Sequence, residues 1–345
     1  MWYAVMLLAS QYVGSAALDV PVAGNPMVAS DSTFARTLPA AIPADATHAS
    51  RPAPTRVEAS TRALAPSWSS SFAYARDGIF VRVALDGVDA GWFLLDTGAS
   101  ATVVDTSVVR ERHLAVIGHD SVEGTAGTMG TTLYELGNVS VNGATAIAVT
   151  GIAQDLRGFP SPDGKPLAGI LGSDFLGAYA VRIDYATHEV TFTGAAADST
   201  LPGRTRIHFD LDHGSPRVPV TLDGCLMTEF RIDTGLHGAD GDAPYLAVTE
   251  DVWLGIARAR TGQVVTHAVW VRGLGDGDVV RPAVQIARVT IGAAGVDAPW
   301  VIPQPPRGYF ARPDAVSLLG NGVLQRFSPV TIDFLTGSLY LTVAK

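Results

Sequence analysis

Asp96-Thr97-Gly98 and Asp233-Thr234-Gly235 are two copies of one triplet, and each closes a run of hydrophobic residues. An Asp at the end of a buried strand, followed by a Gly that lets another backbone come close, is arranged to meet a second copy of itself. Two carboxylates within hydrogen-bonding distance cannot both ionise. Like charges that close split their proton affinities, so the pair holds one proton over a wide pH range. The ionised member can take a proton from a shared water while the protonated member donates to a carbonyl oxygen under attack. Such hydrolysis calls for no metal, no cofactor and no covalent intermediate.

The elements that must position these residues are themselves duplicated. Val81-Arg82-Val83-Ala84-Leu85-Asp86-Gly87 aligns with Val218-Pro219-Val220-Thr221-Leu222-Asp223-Gly224, and the register runs without a gap through Phe93 over Phe230 to Asp96 over Asp233. Further on, Gly169-Ile170-Leu171-Gly172 aligns with Ser317-Leu318-Leu319-Gly320, and Ile183-Asp184-Tyr185 with Ile332-Asp333-Phe334. The second half carries about a dozen extra residues, most simply placed between Leu236 and Gly273, and a long-period repeat of this kind means two similar supersecondary units.

Each half reads as mostly strand. Ile79 to Leu85 and Val218 to Leu222 are rich in β-branched residues and end in Asp-Gly turn pairs, the pattern of a hairpin arm. Trp92-Phe93-Leu94-Leu95 is continuously apolar and should be buried on both faces, whereas Phe230-Arg231-Ile232 alternates and should be less enclosed. Two helical stretches are expected per half. One runs from Asp105 or Thr106, as cap, to His113; the other follows Leu171-Gly172 and Leu319-Gly320, with Ser173 and Asn321 as N-caps.

The chain has 345 residues, 47% of them hydrophobic, enough for two packed lobes. A net charge of −9 with no Lys/Arg cluster argues against a nucleic-acid partner. Cys225 is the single cysteine, so no intramolecular disulfide forms, and it reads as a small hydrophobe in a strand. Residues 1–19 begin with an apolar stretch that suits a signal peptide despite lacking a basic start, so a periplasmic or secreted location is expected. Residues 20–70 are rich in Ala, Pro, Ser and Thr and read as a disordered linker or pro-segment. The rest divides into lobes at 71–200 and 201–345, with no membrane span in the mature chain.

The run Phe93-Leu94-Leu95-Asp96-Thr97-Gly98-Ala99-Ser100, the stretch Gly124-Thr125-Ala126-Gly127-Thr128-Met129-Gly130 and the segment Gly169-Ile170-Leu171-Gly172 before Ile183-Asp184-Tyr185 resemble the pepsin-like and retropepsin-like aspartic proteases. The first half is especially similar to the bacterial retropepsin-like branch. The resemblance covers about residues 71–345 and implies an all-β, bilobal acid-protease fold. It implies an aspartic endopeptidase acting on a peptide or protein substrate, with Asp96 and Asp233 as the catalytic pair. Thr97, Gly98, Ala99, Thr234 and Gly235 would support the two loops, Thr97 and Thr234 exchanging hydrogen bonds between lobes. Gly124, Thr125, Gly127, Thr128 and Gly130 would lie in a flap that closes over an extended peptide. With both triplets in one chain the active unit would be a monomer. Pepsin-like lobes carry a hydroxyl where this chain has Ala99 and Leu236; Ala is usual there in the retropepsin-like branch, and Leu236, with His237 beside it, is the departure, so the resemblance is closer in the first half than in the second.

Other readings of the same residues are weaker. A decayed, non-catalytic peptide-binding protein on this fold would have no reason to keep both carboxylates, yet both are present. His208 to His213 reads as a solvated alternating strand in place of a metal cluster. Asp240, Asp242, Asp276 and Asp278 lack the spacing of a calcium loop, and Ser100 has no matching His and Asp pattern for a serine nucleophile.

Overall fold

The computed structural model describes residues 5–6, 12–15, 66–76, 78–125, 127–197, 203–238, 243–259, 266–273 and 279–342. Strands dominate, with a few short helices, and the described residues form three sheets. The first half builds one sheet in which Val88–Leu95 is flanked by Gly78–Leu85 and Gly169–Leu171. The second half repeats this with Leu226–Asp233 between Ser215–Leu222 and Ser317–Gly320. A third, six-stranded sheet draws Ala180–Asp184, Glu189–Thr193 and Ser67–Ser71 from the first half and Arg204–His208, Val330–Asp333 and Ser338–Thr342 from the second. This is the all-β, bilobal architecture expected from the repeat.

The way each triplet is held follows from the apolar runs that precede it. Gly169–Leu171 pairs in parallel with the first run, Leu171 opposite Leu95, and antiparallel with Val103–Asp105. Ser317–Gly320 does the same in the second half, with Gly320 opposite Asp233, and pairs antiparallel with Tyr245–Val248. Strands enclosed on both sides have to be apolar throughout, and Leu94, Leu95, Ile170, Leu171, Ile232, Leu318 and Leu319 are all buried. The hairpin arms expected at Ile79–Leu85 and Val218–Leu222 are present.

The first helix runs over Thr106–Arg112, capped by Asp105, whose carboxylate accepts from Ser107 N at 2.8 Å, and it ends at His113 in the left-handed region. The second half's counterpart is Glu250–Ala259, a longer helix in the region where the extra residues are expected. The helices after the Leu-Gly segments exist at Ser173–Leu176 and Asn321–Leu324, but Gly172 and Gly320 stand at the N-caps. Ser173 and Asn321 open the helices, and their side chains serve other partners: Asn321 Oδ1 accepts from Tyr185 Oη at 2.7 Å.

Two further expectations fail. Phe230-Arg231-Ile232 is fully enclosed, Arg231 included, because the guanidinium finds non-local partners: an ion pair with Asp212 at 2.5 Å and the ring of Tyr309 at 4.8 Å. Cys225 lies exposed in the turn after Leu222, outside any strand. At the N-terminus, Val5–Met6 pairs with Val122 and Glu123, and Tyr12–Ser15 pairs with both His237–Gly238 and Thr266–Arg272. Most of the expected signal peptide and nearly all of 20–70 lie outside the described residues, as do Asp240, Asp242, Asp276 and Asp278. No described helix is long and apolar enough to cross a membrane.

Candidate active site

Asp96 and Asp233, 137 residues apart in sequence like the threonines beside them, come together. Each approaches the glycine of the opposite triplet so closely that a Cβ built on Gly98 would stand 2.6 Å from Asp233 Cγ, and one on Gly235 would meet the Asp96 carboxylate. Only glycine leaves room for the other carboxylate. Both aspartates are fully buried.

Each carboxylate is held by its own loop in the same way. Asp96 Oδ1 accepts from the N–H groups of Gly98 at 2.8 Å and Ala99 at 3.1 Å, and Asp233 Oδ1 from those of Gly235 at 2.9 Å and Leu236 at 3.0 Å. Asp233 Oδ2 is buried with no hydrogen-bond partner among the described residues. Burial first, then the charge of Asp96, pushes the Asp233 carboxyl well above the usual carboxylate range. Asp233 thus keeps its proton where an exposed Asp has lost it.

Thr97 and Thr234 exchange hydrogen bonds between the lobes. Thr97 N donates to Thr234 Oγ1 at 3.0 Å and Thr234 N to Thr97 Oγ1 at 3.1 Å. Each hydroxyl then donates to the carbonyl before the opposite aspartate, Thr97 to Ile232 at 2.7 Å and Thr234 to Leu95 at 2.8 Å. A buried N–H, a hydroxyl and a carbonyl on each side thus find these partners across the lobe boundary. Ser215 Oγ adds a bond to Gly98 O at 3.1 Å, a cross-lobe contact with no signal in the sequence.

The Leu-Gly segments back the loops: Ser173 N donates to Ala99 O at 2.8 Å and Asn321 N to Leu236 O at 2.9 Å. In the first lobe Asp174 does more, its carboxylate accepting from Thr102 N and Thr102 Oγ1, both at 2.8 Å. Gly322 occupies its place in the second lobe, and the acid in Gly172-Ser173-Asp174 was the available signal.

Leu236 and His237 have clear structural roles. Leu236 is buried in an apolar cluster with Tyr245, Ala247, Phe310 and Leu318, while Ala99 occupies the matching place beside Leu94, Val103 and Ile170. His237 is buried, its Nδ1–H donating to Gly235 O at 2.7 Å and its ring edge-on to Phe80. Burial lowers its pKa to about 4, so it is neutral over the mildly acidic range. With Arg76, Phe80, Leu94, Phe159, Pro160 and Leu167 it lines a small, mainly apolar cavity.

The glycine-rich stretch is a hairpin. Val116–Glu123 and Thr128–Val141 pair antiparallel, with Glu123 opposite Thr128 and Ser121 opposite Gly130. Gly124 N donates to Gly127 O at 2.8 Å across the tip, and Thr125 Oγ1 lies beside Gly273 of the second half. Tyr134 sits far down the second arm, opposite Val116.

Asp212, His213 and Asp314 converge closely enough to suggest a metal site. Arg231 pairs with Asp212, however, and Arg312 holds both Asp314 at 2.7 Å and His213 Nε2 at 3.0 Å, so two guanidinium groups already occupy the cluster.

Residues 81–175, which contain Asp96, the hairpin and the first Leu-Gly segment, match the family model of aspartyl proteases. No curated protein matches the chain.

Proposed function

We propose that the protein is an aspartic endopeptidase of the single-chain, two-triplet kind, cleaving peptide bonds with a water activated between Asp96 and Asp233. The observation that carries this reading is the buried, pseudo-symmetric carboxylate pair, each member fixed at one oxygen and backed by the opposite glycine. Asp233, whose proton is held by burial and by the neighbouring charge, is the donor to the carbonyl oxygen; Asp96 takes the proton from the water. The tetrahedral intermediate then collapses with proton return to the leaving amine.

A peptide in extended conformation suits the surfaces around the pair. The chain's own segments Val5–Met6 and Tyr12–Ser15 lie as strands along the hairpin arm and along His237–Gly238, so both edges accept a β-strand. The hairpin tipped by Gly124, Thr125 and Gly127 is the flap in this reading. An exported protein would meet such substrates in the periplasm or outside the cell.

Digestion of a peptide library by the purified protein, with and without pepstatin, tests the reading. Pepstatin-sensitive cleavage that disappears in both Asp96→Asn and Asp233→Asn is expected. Full turnover by either folded variant would overturn the dyad.

A further inference from the structure

The tip of the hairpin is fastened to the segment 308–312 of the second half at three points. Tyr309 N donates to Gly124 O at 3.0 Å. Arg312 Nη1 lies 3.5 Å from Glu123 Oε2, both side chains about four-fifths buried. Gly308, at φ +52°, packs its bare Cα against Gly124 O and Gly127 N, where no Cβ would fit. The receiving segment, Gly308–Ala311 and the turn after it, is itself braced: Tyr309 Oη donates to Val316 O at 2.9 Å and accepts from Val316 N at 2.8 Å, and Asp314 and His213 hold the far side of Arg312. The glycine-rich tip thus meets a segment that is itself held by hydrogen bonds. That segment also reaches the reactive centre, because the Tyr309 ring covers Arg231, two residues before Asp233 on the same strand face.

We infer that Arg312 and Tyr309 form a latch that holds the flap closed over the dyad, with Glu123 as the flap's charged catch. This deepens the reading of the site as a peptidase, since Arg312 and Glu123 become positioning residues that act through the flap and touch no reacting atom. Closure by the latch lowers the fraction of substrate binding energy spent on bringing the flap down. A partly exposed ion pair contributes modestly, so its loss weakens closure by roughly two- to five-fold.

Hydrogen exchange of the full chain, read by mass spectrometry, gives the first test and needs no substrate. Glu123→Gln should raise exchange in peptides covering 122–130 and 308–312 two- to five-fold and leave those covering 93–99 and 230–236 unchanged. Arg312→Gln should do the same, and the double variant should be no worse than the more affected single one. Gly308→Ala, which drives the tip off sterically, should give a larger effect. On a peptide substrate Glu123→Gln should raise KM by the same factor with kcat little changed. Unchanged exchange at the tip in Glu123→Gln, or additive effects in the double variant, overturns the latch whether or not the protein cleaves peptides. Altered exchange in a protein that cleaves nothing would instead keep the latch and overturn the peptidase reading.

Discussion

Asp233 and His237 are buried within five residues of each other and respond to pH in opposite senses. The folded-state pKa of Asp233 is raised, so the stability it contributes is present below the unfolded value near 3.8 and is lost as pH rises through the folded one. Removing the charge removes the penalty. Asp233→Asn is therefore expected to be inactive yet to melt at a higher temperature than the parent at pH 7, an advantage that vanishes near pH 3. His237 has its pKa lowered from 6.5 to about 4, so its contribution is intact above 6.5 and falls as pH drops from there through 4. The loss is on the order of 3 kcal/mol at most, since each tenfold change in proton affinity corresponds to about 1.4 kcal/mol. Because Asp233 works in the opposite sense over the same range, the His237 contribution is read as a difference: from pH 7 to pH 4 the melting temperature of the parent should lose ground relative to that of His237→Gln, and parallel curves would contradict the burial argument. A neutral His237 also lends the dyad no charge in that range. Asp233 Oδ1 is held by two backbone N–H groups, and among the described residues no hydroxyl donates to it, so its anion is less stabilised than one that also accepts from a hydroxyl. The kcat/KM profile is expected to peak at mildly acidic pH, and Leu236→Thr should move both limbs acid-ward by about one unit, at a cost in stability from the apolar cluster it leaves.

At the level of elements, the two triplet loops are each other's hydrogen-bond partners, which makes their threonines more than turn residues. Thr97→Ala would leave Thr234 N and Ile232 O buried without partners, at roughly 1–3 kcal/mol for each orphaned group. Thr97→Ser retains the hydroxyl and should lose little; equal destabilisation of the two variants in chemical denaturation would show that the hydroxyl bonds do not carry the effect. The triplets, the hairpin arms and the first helix with its Asp105 cap are legible in the sequence because they rest on local patterns: period, turn pairs, caps and a repeat; the glycine-rich hairpin is expected from the resemblance alone. Arg231 is not. Its alternating neighbours suggest an open face, and what encloses it, Asp212 and Tyr309, comes from 19 residues before it and from far downstream. The N-caps at Gly172 and Gly320 escape a sequence reading for a related reason: the close approach of Ala101 to Gly172, and of Tyr245 O and Leu236 O to Gly320, excludes any side chain there. Those contacts exist only once each half has folded on itself. His237 likewise reads as a loop residue until Phe80 of the other half covers it.

At the scale of the whole molecule, each half is incomplete alone. Asp96 is backed by Gly235, Asp233 by Gly98, and the six-stranded sheet is assembled from strands of both halves, Ala180–Asp184 pairing with Val330–Asp333. The repeat already indicates two lobes; what it cannot indicate is which strands they share, because that depends on pairing across the duplication. Everything a second chain would have to bring to a single-triplet lobe is here supplied within one chain. The 345-residue chain is therefore expected to be active as a monomer. Initial rates should rise in direct proportion to enzyme concentration, over a range in which sedimentation velocity reports one species near 36.0 kDa. A rate that climbs with the square of concentration, with a dimer appearing over the same range, would mean that the second triplet does not complete the first. In that case Asp233→Asn would also retain activity by itself, since two first-half loops would be supplying the pair.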